Sequence, residues 1–331
     1  MLQIVPDYYK EFHCIGGSCR HNCCIGWEID IDVNTAAAYA DVPGEMGARL
    51  RANIDFAAEP PHFVLGAGER CPFLNAQNLC DIHLQLGEGA LCGICADHPR
   101  FRNELPGRIE VGIGLCCEEA ARLILGHKAP VQPEVLPDAA AGGVTVYASL
   151  PKEDVILALR DEVIVLLQNR QLTLAQRLNA VLTQCGAVLP QSSMAEWAAF
   201  LRGLERLDES WTQTLALLEQ PLSPEQLAAF DGYMADRQYE YEQFTVYLVW
   251  RHFANAPDED EAAVRAAFAA LGYRLLHQMG ATLYSRDGIF DFEQQAELAR
   301  QFSSELEYCE ENLYAIWDEL YAALDERRRN L

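Results

Sequence analysis

The hydrophobic pattern of the chain changes near residue 152. From Lys152 onward, apolar residues recur at three- and four-residue spacing, which is typical of amphipathic helices. The pattern contains no strong strand signal there, so it predicts a helical bundle or an irregular helical array. The segments that predict helices are EDVILALRDEVIVLLQNR, TLAQRLNAVLTQC, MAEWAAFLRGLERL, ESWTQTLALLEQ, SPEQLAAFDGYM, YEYEQFTVYLVWRHFANA, DEDEAAVRAAFAALGYRLLHQMG and ELEYCEENLYAIWDELYAAL.

The pattern before residue 128 is broken into short pieces. NTAAAYADV predicts a short helix capped by Asn34, and GEMGARLRANID predicts another. CDIHLQLGEGALCGICADHPRF predicts one or two short helices that stop at Pro99. GWEIDID and GRIEVGIG predict strands, and CCEEAARLILGH predicts a helix. The fold class is therefore mainly α: a small cysteine-rich α+β part with few short strands, followed by an all-helical part.

A segment rich in Pro, Ala and Gly separates the cysteine-rich part of the chain from the helical part. Residues 128–151, KAPVQPEVLPDAAAGGVTVYASLP, show little periodicity, which predicts a linker or a long surface connection. The predicted organisation is a cysteine-rich metal-binding domain at residues 1–127, a linker at 128–151 and a helical domain at 152–331.

The charge and hydropathy of the chain exclude some classes of function. The 331 residues include 25 Lys and Arg against 49 Asp and Glu, a net charge of −24, and both parts are acidic. An acidic surface does not attract nucleic acid or an anionic membrane, so neither is expected as a partner. No run approaches the ~18 apolar residues of a membrane span. The opening MLQIVPDYYKEF lacks a basic start and an apolar stretch, so we expect no secretory signal and a cytoplasmic protein.

The cysteines are concentrated in the N-terminal part. Ten of the twelve lie before residue 118, in groups at 14–24, 71–80, 92–95 and 116–117. In a reducing compartment such a cluster predicts metal binding or catalysis before disulfides. Four converging thiolates suit tetrahedral zinc or a four-iron cluster. A redox dithiol at Cys92 and Cys95 is an alternative, and buried hydrophobic cysteines are expected at Cys185 and Cys309.

Two local features leave alternatives open. The side chains of the neighbours Cys23 and Cys24 usually diverge, so one can be a ligand while the other packs in the core or binds a second ion. GRIEVGIGLCCEEA runs from a strand through Gly112 and Gly114 into a helix, loosely like a cofactor-binding turn. It lacks a third glycine and a repeating βαβ pattern, so we interpret it as a turn that carries cysteines.

The order of these motifs resembles the flagellin lysine-N-methylase (FliB) family, within a wider superfamily of CxxCxxCC-type cysteine clusters that chelate zinc or iron. Cysteines 14, 19, 23 and 24 followed by Trp27 carry the resemblance, and so do CPFLNAQNLCDIH, LGEGALCGICADHPR and CEEAARLIL. YLVWRHF and FSSELEYCEENLYAIWDEL resemble helical C-terminal segments of that family.

The resemblance implies a set of metal ligands. The family cysteines match Cys14, Cys19, Cys23, Cys24, Cys71, Cys80, Cys95 and Cys117. Cys92 and Cys116 stand where the family tolerates other residues. Cys117 is followed by Glu118, where the family often has proline, so the choice between Cys116 and Cys117 stays open. Eight thiols exceed the four that one centre needs, which leaves two metals, structural cysteines or outer-shell cysteines as alternatives.

The resemblance also implies an activity. It implies methyl transfer from S-adenosylmethionine to lysine side chains of flagellin or another protein, with an iron–sulfur centre, expected to be 4Fe–4S, as cofactor. Zinc is the alternative metal. A non-catalytic zinc- or iron-binding module for protein interaction or metal handling is the alternative function, and a metal-free redox sensor is a third. The residues alone predict a soft metal site and a helical remainder.

Overall fold

A computed structural model describes residues 2–136 and 151–330. Contacts divide the chain into two compact units. The helical unit comprises Met1–Phe12, Arg102–Cys116 and Ala120–Leu331, and the cysteine-rich unit comprises His13–Phe101 and Cys117–Glu119. Within the described residues α-helices dominate and strands are few and short, so the mainly α fold class is confirmed.

The elements are numbered in chain order. The strands of the described residues are β1 Leu2–Pro6, β2 Ile54–Asp55, β3 His62–Phe63, β4 Arg100–Leu105, β5 Arg108–Ile113 and β6 Pro133–Leu136. The helices of the described residues are α1 Val33–Asp41, α2 Gly44–Ala52, α3 Asp81–Leu86, α4 Gly93–Asp97, α5 Glu118–Gly126, α6 Pro151–Leu167, α7 Leu174–Gln184, α8 Met194–Arg202, α9 Glu209–Leu215, α10 Pro224–Tyr233, α11 Gln238–His252, α12 Glu259–Asp287, α13 Phe292–Phe302 and α14 Glu310–Arg329.

A four-stranded sheet of order β4-β5-β1-β6 gathers strands that are distant in sequence. β1 pairs in parallel with β5, with Ile4 opposite Glu110, and antiparallel with β6, with Ile4 opposite Val135. Val5, Ile109 and Val111 form its buried apolar cluster. β6 lies inside the predicted linker at 128–151, so the described start of that segment is a sheet strand. The remainder of the predicted linker, residues 137–150, lies outside the described residues.

Helices α11 and α12 form the core of the helical unit. Nearly every residue of α11 is buried. α12 has 29 residues, about 44 Å at 1.5 Å per residue, and packs against α11, α13 and α14. The Asp258 carboxylate caps its start by accepting hydrogen bonds from the backbone N–H groups of Asp260 and Glu261. Gly288, with φ 72°, ends the helix in the left-handed conformation that glycine adopts without strain. None of the described helices is long and apolar enough to cross a bilayer.

The C-terminal helices differ from the predicted pattern in one region. α13 was not predicted, although Asp291 and Gln294 form a capping box at its start. A π-helical turn at Ser303–Glu307 follows α13, and α14 begins only at Glu310. The pattern had predicted one continuous helix from Glu305, because apolar spacing does not distinguish a π turn from an α-helix.

The cysteine-rich unit has short elements around a compact apolar core. Its buried residues include Ile31, Leu50, Phe63, Phe73 and Ile82. Helix α1 is capped by Asp32, whose carboxylate accepts a hydrogen bond from the backbone N–H of Thr35, and not by the predicted Asn34. The predicted strand in GWEIDID is wrong: this segment makes one isolated bridge, from Asp30 to His62, and a second bridge, from Ile25 to Arg70, lies just before it. Its partner segments are too short to extend a ladder.

Candidate metal centre

Five cysteines meet in the core of the cysteine-rich unit. Cys71 and Cys92 are buried members of that core, and Cys24, Cys80 and Cys95 are partly buried and pack against it. They come from three of the cysteine groups of the chain, 14–24, 71–80 and 92–95, and a polydentate soft-metal site takes its ligands from separate segments in this way. Four of them, Cys24, Cys71, Cys80 and Cys95, were predicted as ligands. The fifth, Cys92, was not in that set.

Backbone hydrogen bonds fix three of these cysteines relative to one another. The N–H of Cys71 donates to the carbonyl of Cys24 at 2.9 Å, next to the bridge between Ile25 and Arg70. The N–H of Leu74 donates to the carbonyl of Cys71 at 3.1 Å, and Leu74 also bridges to Cys80. A turn from Cys71 to Cys80 therefore carries two thiols back to the segment of Cys24.

Helix α4 supplies the other two thiols of the core. Cys92 is its N-cap residue and Cys95 lies one turn later, so both side chains occupy one side of a single helical turn. The N–H of Gly93 donates to the Asp32 carboxylate at 3.0 Å. Because Asp32 also caps α1, this carboxylate ties the start of α4 to the start of α1. The buried Tyr39 hydroxyl donates to the carbonyl of Ala90 at 2.6 Å and fixes the segment before Cys92.

Two thiol pairs are arranged so that one member loses its proton readily. A hydrogen bond from the Cys95 thiol lowers the pKa of Cys92 to about 7, and one from the Cys24 thiol lowers the pKa of Cys23 to about 7. The donors Cys24 and Cys95 have raised pKa values, because the same bonds and burial favour their protonated forms. Burial raises the pKa of Cys71 to about 11. In each pair one thiol is therefore favoured as the thiolate, which is the form of cysteine that binds metals.

Cys19 and Cys117 form a second thiol group with Glu118. The Cys19 thiol donates to the Glu118 carboxylate at 3.6 Å. The same carboxylate accepts the backbone N–H and the Nε–H of Arg20, both at 2.8 Å. Burial, Glu118 and Cys117 together raise the pKa of Cys19 to about 12. The Glu118 side chain is only 4% exposed, so its negative charge acts on these thiols with little solvent screening.

The remaining predicted ligands are placed differently. Cys14 is exposed, and its sulfur accepts a hydrogen bond from the N–H of Gly16 at 3.4 Å. Cys23 is also exposed but is paired with Cys24. Cys116 is buried and belongs to the helical unit, whereas Cys117 belongs to the cysteine-rich unit. The eight predicted ligands therefore divide into four core cysteines, the Cys19–Cys117 group, and the exposed Cys14 and Cys23, of which Cys23 is paired with Cys24.

A ring pair lies in the same unit. The Trp27 indole meets the His98 imidazole edge to face, with ring centroids 6.1 Å apart. Burial lowers the pKa of His98 to about 4, so the imidazole stays neutral near neutral pH, which is the form of histidine that binds metals. The pair thus places two aromatic rings together in the cysteine-rich unit, one of which carries an unprotonated nitrogen.

Sequence reasoning missed Cys92, Asp32 and the carboxylate of Glu118. The two-residue spacing of Cys92 and Cys95 was a usable signal, since it places both thiols on one helical turn. Neither Asp32 nor Glu118 carries a sequence signal of this kind, because their roles depend on contacts with Gly93 and Arg20 that are distant in the chain.

Comparisons with known proteins point to one family. Residues 191–327 match the family model described as the FliB lysine N-methylase C-terminal domain. A lysine-N-methylase of Salmonella typhimurium is 28% identical over 128 residues, which are 36% of this chain and 31% of that protein. The flagellar biosynthetic protein FliU of Salmonella muenchen is 28% identical over 126 residues, 36% of this chain and 75% of that protein. The chain thus spans about a third of the matched lysine-N-methylase. No solved structure matches this chain.

Proposed function

We propose that the chain is a protein lysine N-methyltransferase, because its residues 191–327 match the family model of the FliB lysine N-methylase C-terminal domain. The family match is the observation that carries this proposal. We further propose that S-adenosylmethionine is the methyl donor and that a cysteine-ligated iron–sulfur centre is the cofactor.

The thiols of the cysteine-rich unit are donors of the kind that such a centre takes. Cys24, Cys71, Cys80, Cys92 and Cys95 supply more than the four soft donors that an iron–sulfur cluster or a zinc ion takes. They lie against an apolar core, and hydrogen bonds lower the pKa of Cys92 and of the neighbouring Cys23. The donor set therefore suits a soft metal and does not suit magnesium or calcium, which prefer oxygen ligands.

Each part of the unit has a role in holding that centre. Three or four of the thiols of Cys24, Cys71, Cys80, Cys92 and Cys95 would bind it, and Asp32 orients the Cys92–Cys95 turn through the N–H of Gly93. Bound there, an iron–sulfur centre would supply an electron, or would hold the amino and carboxylate groups of S-adenosylmethionine at an iron without a cysteine ligand. The buried rings of Phe63 and Phe73 shield this side of the unit from water.

The reaction moves one methyl carbon from sulfur to nitrogen. The carbon–sulfur bond of the sulfonium breaks, a carbon–nitrogen bond to the lysine side chain forms, and the amine loses one proton. Since FliU is named a flagellar biosynthetic protein, we propose flagellin or another lysine-bearing protein as the acceptor. The net charge of −24 is compatible with an approaching lysine cation.

Anoxic purification followed by a methylation assay tests the proposal. Iron and acid-labile sulfide are measured, and the protein is then incubated with S-adenosylmethionine and flagellin. Peptide mass spectrometry detects lysines that have gained one methyl group. We expect Cys92→Ser to lose bound iron and methyl transfer, and the matched control Cys185→Ser in the helical unit to keep both.

Three results would contradict the proposal. Stoichiometric zinc without sulfide would indicate a structural module and remove the iron–sulfur assignment. Iron-loaded protein that methylates no lysine of flagellin or of a lysine-bearing cell extract would remove the methyltransferase assignment. Equal iron content in Cys92→Ser and Cys185→Ser would remove Cys92 from the ligand set.

A further inference from the structure

Helix α14 of the helical unit carries a row of aromatic side chains on one flank. Tyr314, Trp317 and Tyr321 recur at three- and four-residue spacing, which places them along one side of the helix. Tyr314 is 55% exposed, and Trp317 and Tyr321 are partly buried. The helix packs into the core through other residues, which include Leu313, Ile316, Leu320 and Leu324. The α14 aromatic row therefore lies beside the packed face and reaches solvent at Tyr314.

The α14 aromatic row already binds one cation of the protein itself. The guanidinium of Arg265 lies over the Trp317 ring, 3.2 Å from the ring centroid, and pairs with the Glu261 carboxylate at 2.7 Å. Aromatic ring faces attract cations because their π electrons carry negative charge. The Tyr314 ring meets the Trp317 ring edge to face, with centroids 5.5 Å apart, and extends this cluster toward the surface.

Carboxylates surround the other end of the row. Partial burial first, and then nearby negative charge, raise the pKa of the Tyr321 hydroxyl. The charges that act on this hydroxyl belong to Asp260, Asp258, Asp325 and Glu261. Arg328 pairs with Asp260, and Arg265 pairs with Glu261. Two basic side chains thus pair within a group of four acidic ones, so the surface around Tyr321 is negatively charged.

Rings beside carboxylates match the chemistry of a lysine side chain. Its aliphatic stem packs on aromatic rings, while its ammonium group is attracted by ring faces and by carboxylates. We propose that the α14 aromatic row, with the carboxylates of Asp258 and Asp325, is a docking site for a lysine-rich segment of the acceptor protein. This inference deepens the proposed function and rests on it for the identity of the occupant.

The charge of the surface disfavours other occupants. A nucleic acid or an anionic membrane would bring negative charge against these carboxylates. A second copy of this chain, paired about a two-fold axis, would set the same acidic surface against itself, and each chain carries a net charge of −24. A cationic protein segment is the partner whose charge complements the row.

Binding of a labelled peptide to the full chain, without a methyl donor, tests the aromatic part of the site. The probe is a short fluorescein-labelled peptide of alternating lysine and alanine, and a glutamine–alanine peptide is its control. Fluorescence anisotropy at about 0.15 M salt limits long-range attraction. We expect Tyr314→Leu, which removes the ring but stays apolar, to weaken lysine-peptide binding about two- to fivefold, and Tyr314→Phe to keep the affinity of the wild type.

A matched pair of charge changes on α14 tests the acidic part. Glu319 and Tyr321 lie on either side of the buried Leu320, about 100° from it in opposite directions, so Glu319 is on the flank away from the row. Asp325 and Glu319 are both exposed, and their amide variants remove the same charge. We expect Asp325→Asn to weaken lysine-peptide binding about twofold, and Glu319→Gln to change it little.

Three results would overturn the inference. Equal affinities of Tyr314→Leu and Tyr314→Phe would show that no ring contacts the peptide. Equal losses from Asp325→Asn and Glu319→Gln would show attraction by net charge alone. A wild-type dimer that Tyr314→Leu converts to a monomer in analytical ultracentrifugation would show that a second copy covers the row. A chain that methylates nothing would refute the proposed function, but these affinities would still decide whether the row binds lysine.

Discussion

His252 is a base that the fold keeps neutral. It is 8% exposed and lies 2.7 Å from Glu307, and burial lowers its pKa despite that carboxylate. An unfolded histidine has a pKa of about 6.5. As the pH falls below that value, the unfolded chain takes up a proton that the native chain does not, so the contribution of His252 to stability is present above about pH 6.5 and is lost on acidification.

We therefore expect His252→Gln to flatten the pH dependence of stability. Glutamine keeps an amide donor for Glu307 but does not titrate. The free energy of unfolding of the wild type should fall more steeply between about pH 7 and about pH 5 than that of the variant. Denaturant titrations followed by tryptophan fluorescence measure it, because four of the five tryptophans, at 197, 211, 250 and 317, lie in the helical unit. The exposed control His83→Gln should follow the wild type; parallel curves for all three proteins would contradict the expectation.

At the residue scale, the density of cysteines in the sequence indicates where the thiols gather. The density of cysteines before residue 118 predicted a thiol site, and Cys24, Cys71, Cys80 and Cys95 do meet in one core. Cys92 was left out because family resemblance, not spacing, set the ligand list. Whether these thiols bind iron or zinc stays a prediction. The buried contacts that join Leu115 to Tyr247 and Arg251 to Tyr308 could not be predicted. These residues are far apart in the sequence and share no motif.

Helix α12 shows how a single glycine sets the distance between elements. Gly280 lies inside α12, and a Cβ atom there would be 2.9 Å from Cζ of Phe230 and 3.0 Å from Cε1 of Phe290. Both rings are fully buried and cannot swing away. The missing side chain is therefore what allows these aromatic residues to pack against the helix backbone.

Gly280→Ala should destabilise the protein by about 1–3 kcal/mol, since overpacking outweighs the higher helix propensity of alanine. Gly232, at the exposed end of α10, is a matched control because a Cβ atom there would meet no atom within 4 Å. Gly232→Ala should stabilise by up to about 1 kcal/mol. Denaturant midpoints of the two variants measure the difference in sign, and a stabilised Gly280→Ala protein would show that the packing of Phe230 and Phe290 is looser than described.

At the element scale, the sequence predicts elements that are stabilised by local interactions and misses those that depend on distant partners. α6 to α12 were predicted because each carries its own apolar face, and most begin with a capping residue such as Thr173 or Ser223. β1 and β6 were not predicted as strands, because each has at most five residues and its partners lie about a hundred or more residues away. α13 was missed because few of its residues are strongly apolar, although Asp291 marked its start.

The division into units also depends on long-range pairing. The predicted boundary at residue 127 follows composition along the chain. The parallel pairing of β1 with β5 instead assigns residues 1–12 and 102–116 to the helical unit. A single boundary position cannot describe this division, because in the sequence the cysteine-rich unit lies between the paired strands β1 and β5. The cysteine-rich unit nevertheless contains most of the cysteines that lie before residue 118 in the sequence.

The two units should respond differently to loss of metal. The helices of the cysteine-rich unit have nine, nine, six and five residues, and its strands β2 and β3 have two each. Helices shorter than ~12–15 residues are marginal without tertiary support, so this unit depends on the packing around its thiols. α11 and α12, with 15 and 29 residues, are held by their own apolar core.

We therefore expect removal of iron by an anoxic chelator to raise amide hydrogen exchange across residues 13–101 while α11 and α12 keep their protection. Metal binding and folding are coupled where a small unit is built around its ligands, and local openings are governed by local stability. Hydrogen-exchange mass spectrometry on the same chain before and after chelation measures both regions at once. In Cys92→Ser, which we expect to hold little iron, the chelator should add little further exchange. Unchanged exchange in residues 13–101 of an iron-loaded wild type would mean that the thiol core is stable without metal, whereas equal gains in α12 would mean that the two units unfold as one.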